Sequence, residues 1–125
     1  MEFSVRVTDY QKNVMLNMCD AELIGKDVID GELKIHISEN YYGHDKVDKN
    51  EAVSLLKSAS ILNLVGKETI SLATGLGIGS ESGVKVISEI PFLIIFNTKM
   101  YFLYSLFSKY FLKKKSLLSS VRNNN

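Results

Sequence analysis

A single cysteine, Cys19, stands in a chain of 125 residues. A disulfide framework is thereby excluded, and so is a zinc site built from several cysteines. The scarcity fits a reducing compartment, so a cytoplasmic location is expected. The amino end, Met1-Glu2-Phe3-Ser4-Val5-Arg6, has no basic flank and no long apolar core, and no secretory signal is expected there. Acids are missing from residues 91–125, which carry six Lys and Arg, whereas residues 1–90 hold nine basic residues and all 14 acids. The small net charge of +1 therefore hides an acidic body of −5 and a basic tail of +6. An acidic body is a poor generic partner for nucleic acid, because such binding rests on neutralising phosphates.

What is present suffices for one domain. Hydrophobic residues make up 46% of the chain, enough to bury a core without covalent staples. Phe3, Val5 and Val7 alternate with Ser4, Arg6 and Thr8, the period of a half-buried strand. Val14-Met15-Leu16 follows after a short polar stretch, which predicts a hairpin. Asp20 is placed to cap a single helical turn, Ala21-Glu22-Leu23-Ile24, that Gly25 ends. Val28-Ile29 and Leu33 to Ile37 flank Asp30-Gly31, a tight-turn signal. Leu33, Ile35 and Ile37 share one face, and Lys34 and His36 share the wet one. Ser38 to Asp45 reads as a polar loop.

Asp48 and Glu51 open the clearest helix, in which Ala52, Leu55, Leu56 and Ala59 recur at helical spacing. A second helix is expected over Lys67 to Thr74, with Ile70 and Ala73 inward. Glycines 75, 77, 79 and 83 then mark a flexible turn. Strands are expected at Val84–Ile87 and Phe92–Phe96, separated by Pro91. The order is strands, helices, strands. It predicts an α+β fold, a small mixed or antiparallel sheet with two or three helices packed on it.

Three segments invite a chemical reading. Cys19 before a helical turn could have a stabilised thiolate, with Asp20 beside it and His36 or His44 as the sole histidine bases. The blander reading is a small buried thiol preceding a capping acid. His44 follows Tyr41-Tyr42-Gly43, and two tyrosines with a histidine can stack a base. The alternative is a turn with its aromatics folded on the core. Gly75-Leu76-Gly77-Ile78-Gly79-Ser80 departs from a dinucleotide fingerprint, since a helix precedes it and Ser80 takes the last glycine's place. No cofactor and no metal are expected.

The tail is the most unusual segment. A helix over about 97–115 would gather Asn97, Thr98, Tyr101, Ser105, Ser108 and Lys109 in one arc. Phe102, Leu103, Leu106, Phe107 and Tyr110 would lie opposite, before Lys113-Lys114-Lys115 and a disordered end. Such a helix could rest on a membrane surface or on a partner. A true span wants about 20 apolar residues with few charges, which this segment does not offer.

Asn17-Met18-Cys19-Asp20-Ala21-Glu22-Leu23-Ile24-Gly25-Lys26 resembles the signature of an archaeal family known as domain of unknown function 424. Tyr41-Tyr42-Gly43 resembles its aromatic-glycine loop, and Asn63-Leu64-Val65-Gly66 its element after the main helix. The resemblance covers about residues 3–96, which divides the chain into a domain (1–96) and an extension (97–125). Ile90-Pro91-Phe92 departs from the family's Val-Pro-His run, and Lys67 stands where an acid is usual. The resemblance implies an information-processing role, in translation by analogy. The candidate binding residues are Asn17, Cys19, Asp20, Glu22, Tyr41, Tyr42, Gly43, Asn63 and Gly66 of these segments, together with the loop histidine His44. Three functions follow. The first is a non-enzymatic module bound to a protein or structured RNA of the ribosome. The second is a small enzyme using Cys19, Asp20 or His44. The third is a membrane-surface protein held by Phe102, Leu106, Phe107 and Lys113 to Lys115. The oligomeric state stays open.

Overall fold

The computed structural model describes residues 2–10 and 13–96, and the expected tail helix lies outside them. The chain begins with β1 (Phe3–Tyr10) and β2 (Asn13–Asp20), an antiparallel hairpin in which Phe3 faces Asp20 and Val7 faces Leu16. Phe3 and Val5 are buried as their alternation requires, but Val7 on the same face is exposed. A short 3-10 turn, Ala21–Leu23, leads to β3 (Asp27–Asp30) and β4 (Leu33–His36), a separate two-stranded ribbon. Its two-residue loop is Gly31-Glu32, one position beyond the expected turn, with Gly31 at φ +61°.

The stretch read as a polar loop is structured. It forms α1 (Glu39–Tyr42) and the edge strand β5 (Asp45–Val47). The Ser38 hydroxyl accepts from the Tyr41 N–H at 3.1 Å and starts the short helix. Next comes α2 (Lys49–Ser58), where the Asp48 carboxylate accepts from the Glu51 N–H at 2.9 Å, as the capping pattern required.

Then follow β6 (Ile61–Val65), α3 (Lys67–Gly75), β7 (Lys85–Ile87) and β8 (Ile90–Phe96). Pro91 lies inside β8 rather than between two strands. It pairs with Val86 of β7 and lies one position beyond the last β6 pair, Val65 with Phe92. Its carbonyl accepts from the Gly66 N–H at 2.9 Å, and the Gly66 carbonyl accepts from the Ile70 N–H at 3.0 Å. No acceptor there waits for the N–H that proline lacks.

The fold is α+β. Six strands form one mixed sheet in the order β5-β1-β2-β6-β8-β7, in which β2 and β6 are parallel and the other pairs antiparallel. Period-two alternation gives the sheet two unlike faces. One presents Phe3, Val5, Leu16, Met18, Leu62, Leu64, Leu93 and Ile95 to Ala52 and Leu56 of α2 and to Ile70 and Ala73 of α3. The other presents Cys19, Val65 and Phe92, in register across three strands, to Val28, Ile37 and Tyr42. The ribbon and α1 thus cover part of this second face, and the candidate site lies where that cover ends.

Candidate functional site

One row below Cys19 on the second face, the register aligns Arg6, Asn17 and Asn63 across β1, β2 and β6. Two adjacent asparagines in the middle of a sheet need partners, because a buried amide without hydrogen bonds is costly. α1 supplies them. Asn17 Nδ2 donates to the Tyr41 carbonyl at 3.0 Å. Asn63 Nδ2 donates to the Tyr41 phenol oxygen at 3.1 Å, and the Tyr42 O–H donates to Asn63 Oδ1 at 3.2 Å. Arg6 Nη1 donates to the Asn40 carbonyl. The two tyrosine rings meet edge to face, with centroids 4.9 Å apart and planes at 77°.

The members differ in exposure. Asn17 is 3% exposed, and its Oδ1 has no hydrogen-bond partner among the described residues; the same holds for the buried Ser4 hydroxyl. Tyr42 is buried, and burial pushes its phenol up from the ordinary tyrosine range. Tyr41 is 42% exposed although both its carbonyl and its hydroxyl are fixed. Gly43 closes α1 where a Cβ would lie 3.1 Å from the Glu39 Cα and the Ile24 Cδ1. His44 is exposed on the bend that follows.

A second group forms at the carboxyl ends of the parallel strands β2 and β6. Gly66, at φ +108°, precedes α3 and has no side chain with which to cap it. Asp20 does so from the end of β2. Its Oδ1 accepts from the Thr69 N–H and the Thr69 hydroxyl, both at 2.8 Å, and its Oδ2 from the Glu68 N–H at 3.1 Å. This corrects the expectation that Asp20 caps its own helical turn, to which its side chain makes no capping bond. The free donors of α3 draw the carboxylate across 48 residues of sequence because a nine-residue helix has the larger unsatisfied end. A cleft of about 430 Å³ adjoins this group, lined by Asp20, Glu22, Lys26, Gly66, Lys67 and Glu89 among others.

Cys19 lies between the two groups, fully buried against Val28, Ile37, Tyr42, Val65 and Phe92. Burial first, and the neighbouring Asp20 charge second, push its thiol up to about 12. A nucleophile needs the opposite shift and access to solvent. His36 is engaged elsewhere, its Nδ1 2.6 Å from Asp27 Oδ1 on the exposed side of the ribbon. The His36 hydrogen bond, aided by Lys34, holds the Asp27 carboxyl below its usual range. Among the described residues no group of three or more His, Cys, Asp or Glu side chains is placed to hold a metal ion. Among them, too, no helix is long and apolar enough to cross a membrane. The tail candidates Phe102, Leu106, Phe107, Lys113, Lys114 and Lys115 lie outside the described residues.

A family model described as "Protein of unknown function (DUF424)" matches residues 8–98. The chain belongs to the DUF424 family. The fold agrees with it. The crystal structure of an uncharacterised conserved protein from Methanopyrus kandleri matches with a TM-score of 0.66 at 17% identity, over 75% of this chain and 90% of that one. Likeness at that identity is likeness of fold. No curated protein matches the chain.

The three DUF424-like segments of the sequence thus meet in space. Asn17, Asn63, Tyr41 and Tyr42 share one network, and Asp20, Glu22 and Gly66 share the other group. Sequence reasoning missed Arg6, Asn40 and Thr69. Arg6 was readable only as a wet-face strand residue. Thr69 carries a signal that could have found it, a hydroxyl residue in the first turn of a helix whose preceding residue is glycine.

Proposed function

We propose that this DUF424 chain is a non-enzymatic binding module of the cytoplasm, attached to the translation machinery through the face formed by Arg6 and Tyr41 to His44. The clamped Tyr41 ring carries the reading. An exposed side chain ordinarily keeps its rotamer freedom, and here one sheet asparagine, Asn63, fixes the phenol while a second, Asn17, fixes the backbone that carries it. Rigid aromatic anchors beside arginine are what binding surfaces concentrate. Two of the three groups that an enzyme would draw on, Cys19 and Asp20, are committed to the fold, and the third, His44, is exposed on the proposed binding face. The Cys19 sulfur is enclosed and protonated, and the Asp20 carboxylate accepts three hydrogen bonds from α3. The archaeal distribution implied by the family resemblance supports the translation assignment.

The test is sedimentation of the full chain with archaeal ribosomal particles at low salt. Wild type is expected in the particle fraction, with less bound as salt rises. A Tyr41→Glu/His44→Glu double variant with a native circular dichroism spectrum is expected in the supernatant. Absence of wild-type co-sedimentation at low salt overturns the proposal.

A further inference from the structure

The chemistry around Tyr41 narrows what the face can take. The ring is held at its hydroxyl by Asn63, the Tyr41 backbone is held at its carbonyl by Asn17, and Tyr42 braces the ring from the side. It is therefore a fixed aromatic surface open to solvent. The charges beside it are positive on the sheet. Arg6 is exposed and anchored to Asn40, one residue before Tyr41. Lys46 of β5 is exposed and pairs with Ser4, which puts it on the same face by alternation. One acid, Glu39, is exposed in the first turn of α1. Other acids lie elsewhere. Asp20, Glu22, Glu68 and Glu89 surround the carboxyl end of β2, and Asp45 pairs with Val5, on the opposite face.

From this geometry, and resting on the binding reading above, we propose that Tyr41 is a stacking platform for an unpaired nucleobase of RNA, with Arg6 and Lys46 placed for the adjoining phosphates. Stacking on a fixed ring suits an acidic protein, because a π-face contact does not depend on the overall field. Two local cations suffice to position a backbone that the body as a whole does not attract. The same ring could anchor a protein partner, but a protein contact has no need of paired cations on one side of the ring.

The probe is a set of 5′-labelled penta-adenylate and penta-uridylate oligoribonucleotides, titrated by fluorescence polarisation against the full chain. Tyr41→Ala is expected to weaken binding by about 10-fold, the usual worth of one stacked base. Tyr41→Phe keeps the stacking face, loses the Asn63 bond that fixes it, and is expected to weaken binding by a smaller factor of about threefold. The basic tail is common to all variants and adds a salt-sensitive background. The ratio of the Tyr41→Ala and wild-type dissociation constants is therefore expected to be the same at low and high salt, while both constants rise. A native circular dichroism spectrum for each variant removes misfolding as a cause. Equal affinities for Tyr41→Ala and Tyr41→Phe, or no oligonucleotide binding at all, overturns the stacking proposal. If ribosomal co-sedimentation persists in that case, the module reading stands with a protein surface as partner. If oligonucleotides bind with the expected Tyr41→Ala loss but the particles do not, stacking stands and the ribosomal reading falls.

Discussion

A Cβ on Gly66 would lie 2.4 Å from the carboxyl carbon of Asp20. The two residues are 46 positions apart in sequence, yet each is the condition for the other. The carboxylate can reach the first turn of α3 only because nothing projects from Gly66. Gly66 can serve at that helix start without a capping side chain only because Asp20 caps in its place. The backbone adds a second demand, since φ +108° is a region that L side chains rarely adopt.

The pair makes a non-additive prediction. Asp20→Ala removes the cap and leaves the buried Thr69 hydroxyl without its acceptor, an expected loss of about 2 kcal/mol. Gly66→Ala in the wild-type background meets both the clash and the backbone strain, and is expected to cost more than about 3 kcal/mol. In the Asp20→Ala background the clash with the carboxylate is gone, so the same glycine substitution should cost about 1–2 kcal/mol. Urea unfolding of the four proteins gives the cycle. An identical cost for Gly66→Ala in both backgrounds would remove the steric relationship from the account. Phosphate or sulfate is expected to restore part of the loss in Asp20→Ala alone, because the vacated helix end accepts an anion.

Elements with a clean period were legible in the chain, and those without one were not. The alternation in β1 and the i, i+3, i+4, i+7 pattern of α2 stand out because each element has a wet side that marks its buried side. β6 has none. Ile61, Leu62, Leu64 and Val65 are buried in the middle of the sheet, so the strand reads as an undifferentiated apolar run after a helix. α1 and β5 were missed for the opposite reason. They have four and three residues, too few to show a period. The site was legible in part. The residues of the family-like segments converge as one would wish, but the row of Arg6, Asn17 and Asn63 exists only in the register of three strands. Nothing local in the sequence announces that Asp20 serves a helix 48 residues away.

The β7–β8 hairpin holds a correctable strain. Ile87 pairs with Ile90, so Ser88 and Glu89 form the whole two-residue loop, and both have positive φ, +48° and +69°. This is the type I′ geometry that Asn-Gly fits and that Ser-Glu does not. The substitution Ser88→Asn/Glu89→Gly is therefore expected to stabilise the protein by about 1 kcal/mol, or about 4–8 °C in Tm for a domain of this size. The Ser88 hydroxyl also donates to the Ile29 carbonyl on the ribbon. A variant that keeps serine, Glu89→Gly alone, is expected to gain at least as much. Differential scanning calorimetry reads both. A fall in Tm for Glu89→Gly would show that the loop is not strained in solution.

Cys19 sets the alkaline limit. Its thiol ionises near 9.0 when unfolded and is pushed up to about 12 in the native protein. Between those values the native state holds a proton that the unfolded state has released, so stability must fall as pH rises and is fully present below pH 9. The full slope of one proton is about 1.4 kcal/mol per pH unit, and about 1 kcal/mol of it is expected to be lost between pH 9 and pH 10. Tyr42 adds to the decline from higher pH, since its buried phenol is shifted in the same direction. Cys19→Ala leaves a small cavity and lowers stability by a similar amount at every pH. It should also flatten the curve between pH 9 and pH 10, where tyrosine contributes least. Guanidinium unfolding at half-unit steps from pH 7 to pH 10.5 makes the comparison. In the same range, reaction of the native thiol with a disulfide reagent is expected to occur only through opening of the fold, and so to be suppressed at least about 100-fold relative to the unfolded chain. An opening free energy of about 3 kcal/mol, below the usual stability of a domain, already gives that factor. Prompt reaction of the folded protein, or parallel alkaline curves for wild type and Cys19→Ala, would mean that the sulfur is reached by solvent and that the enzyme reading of Cys19 must be reopened.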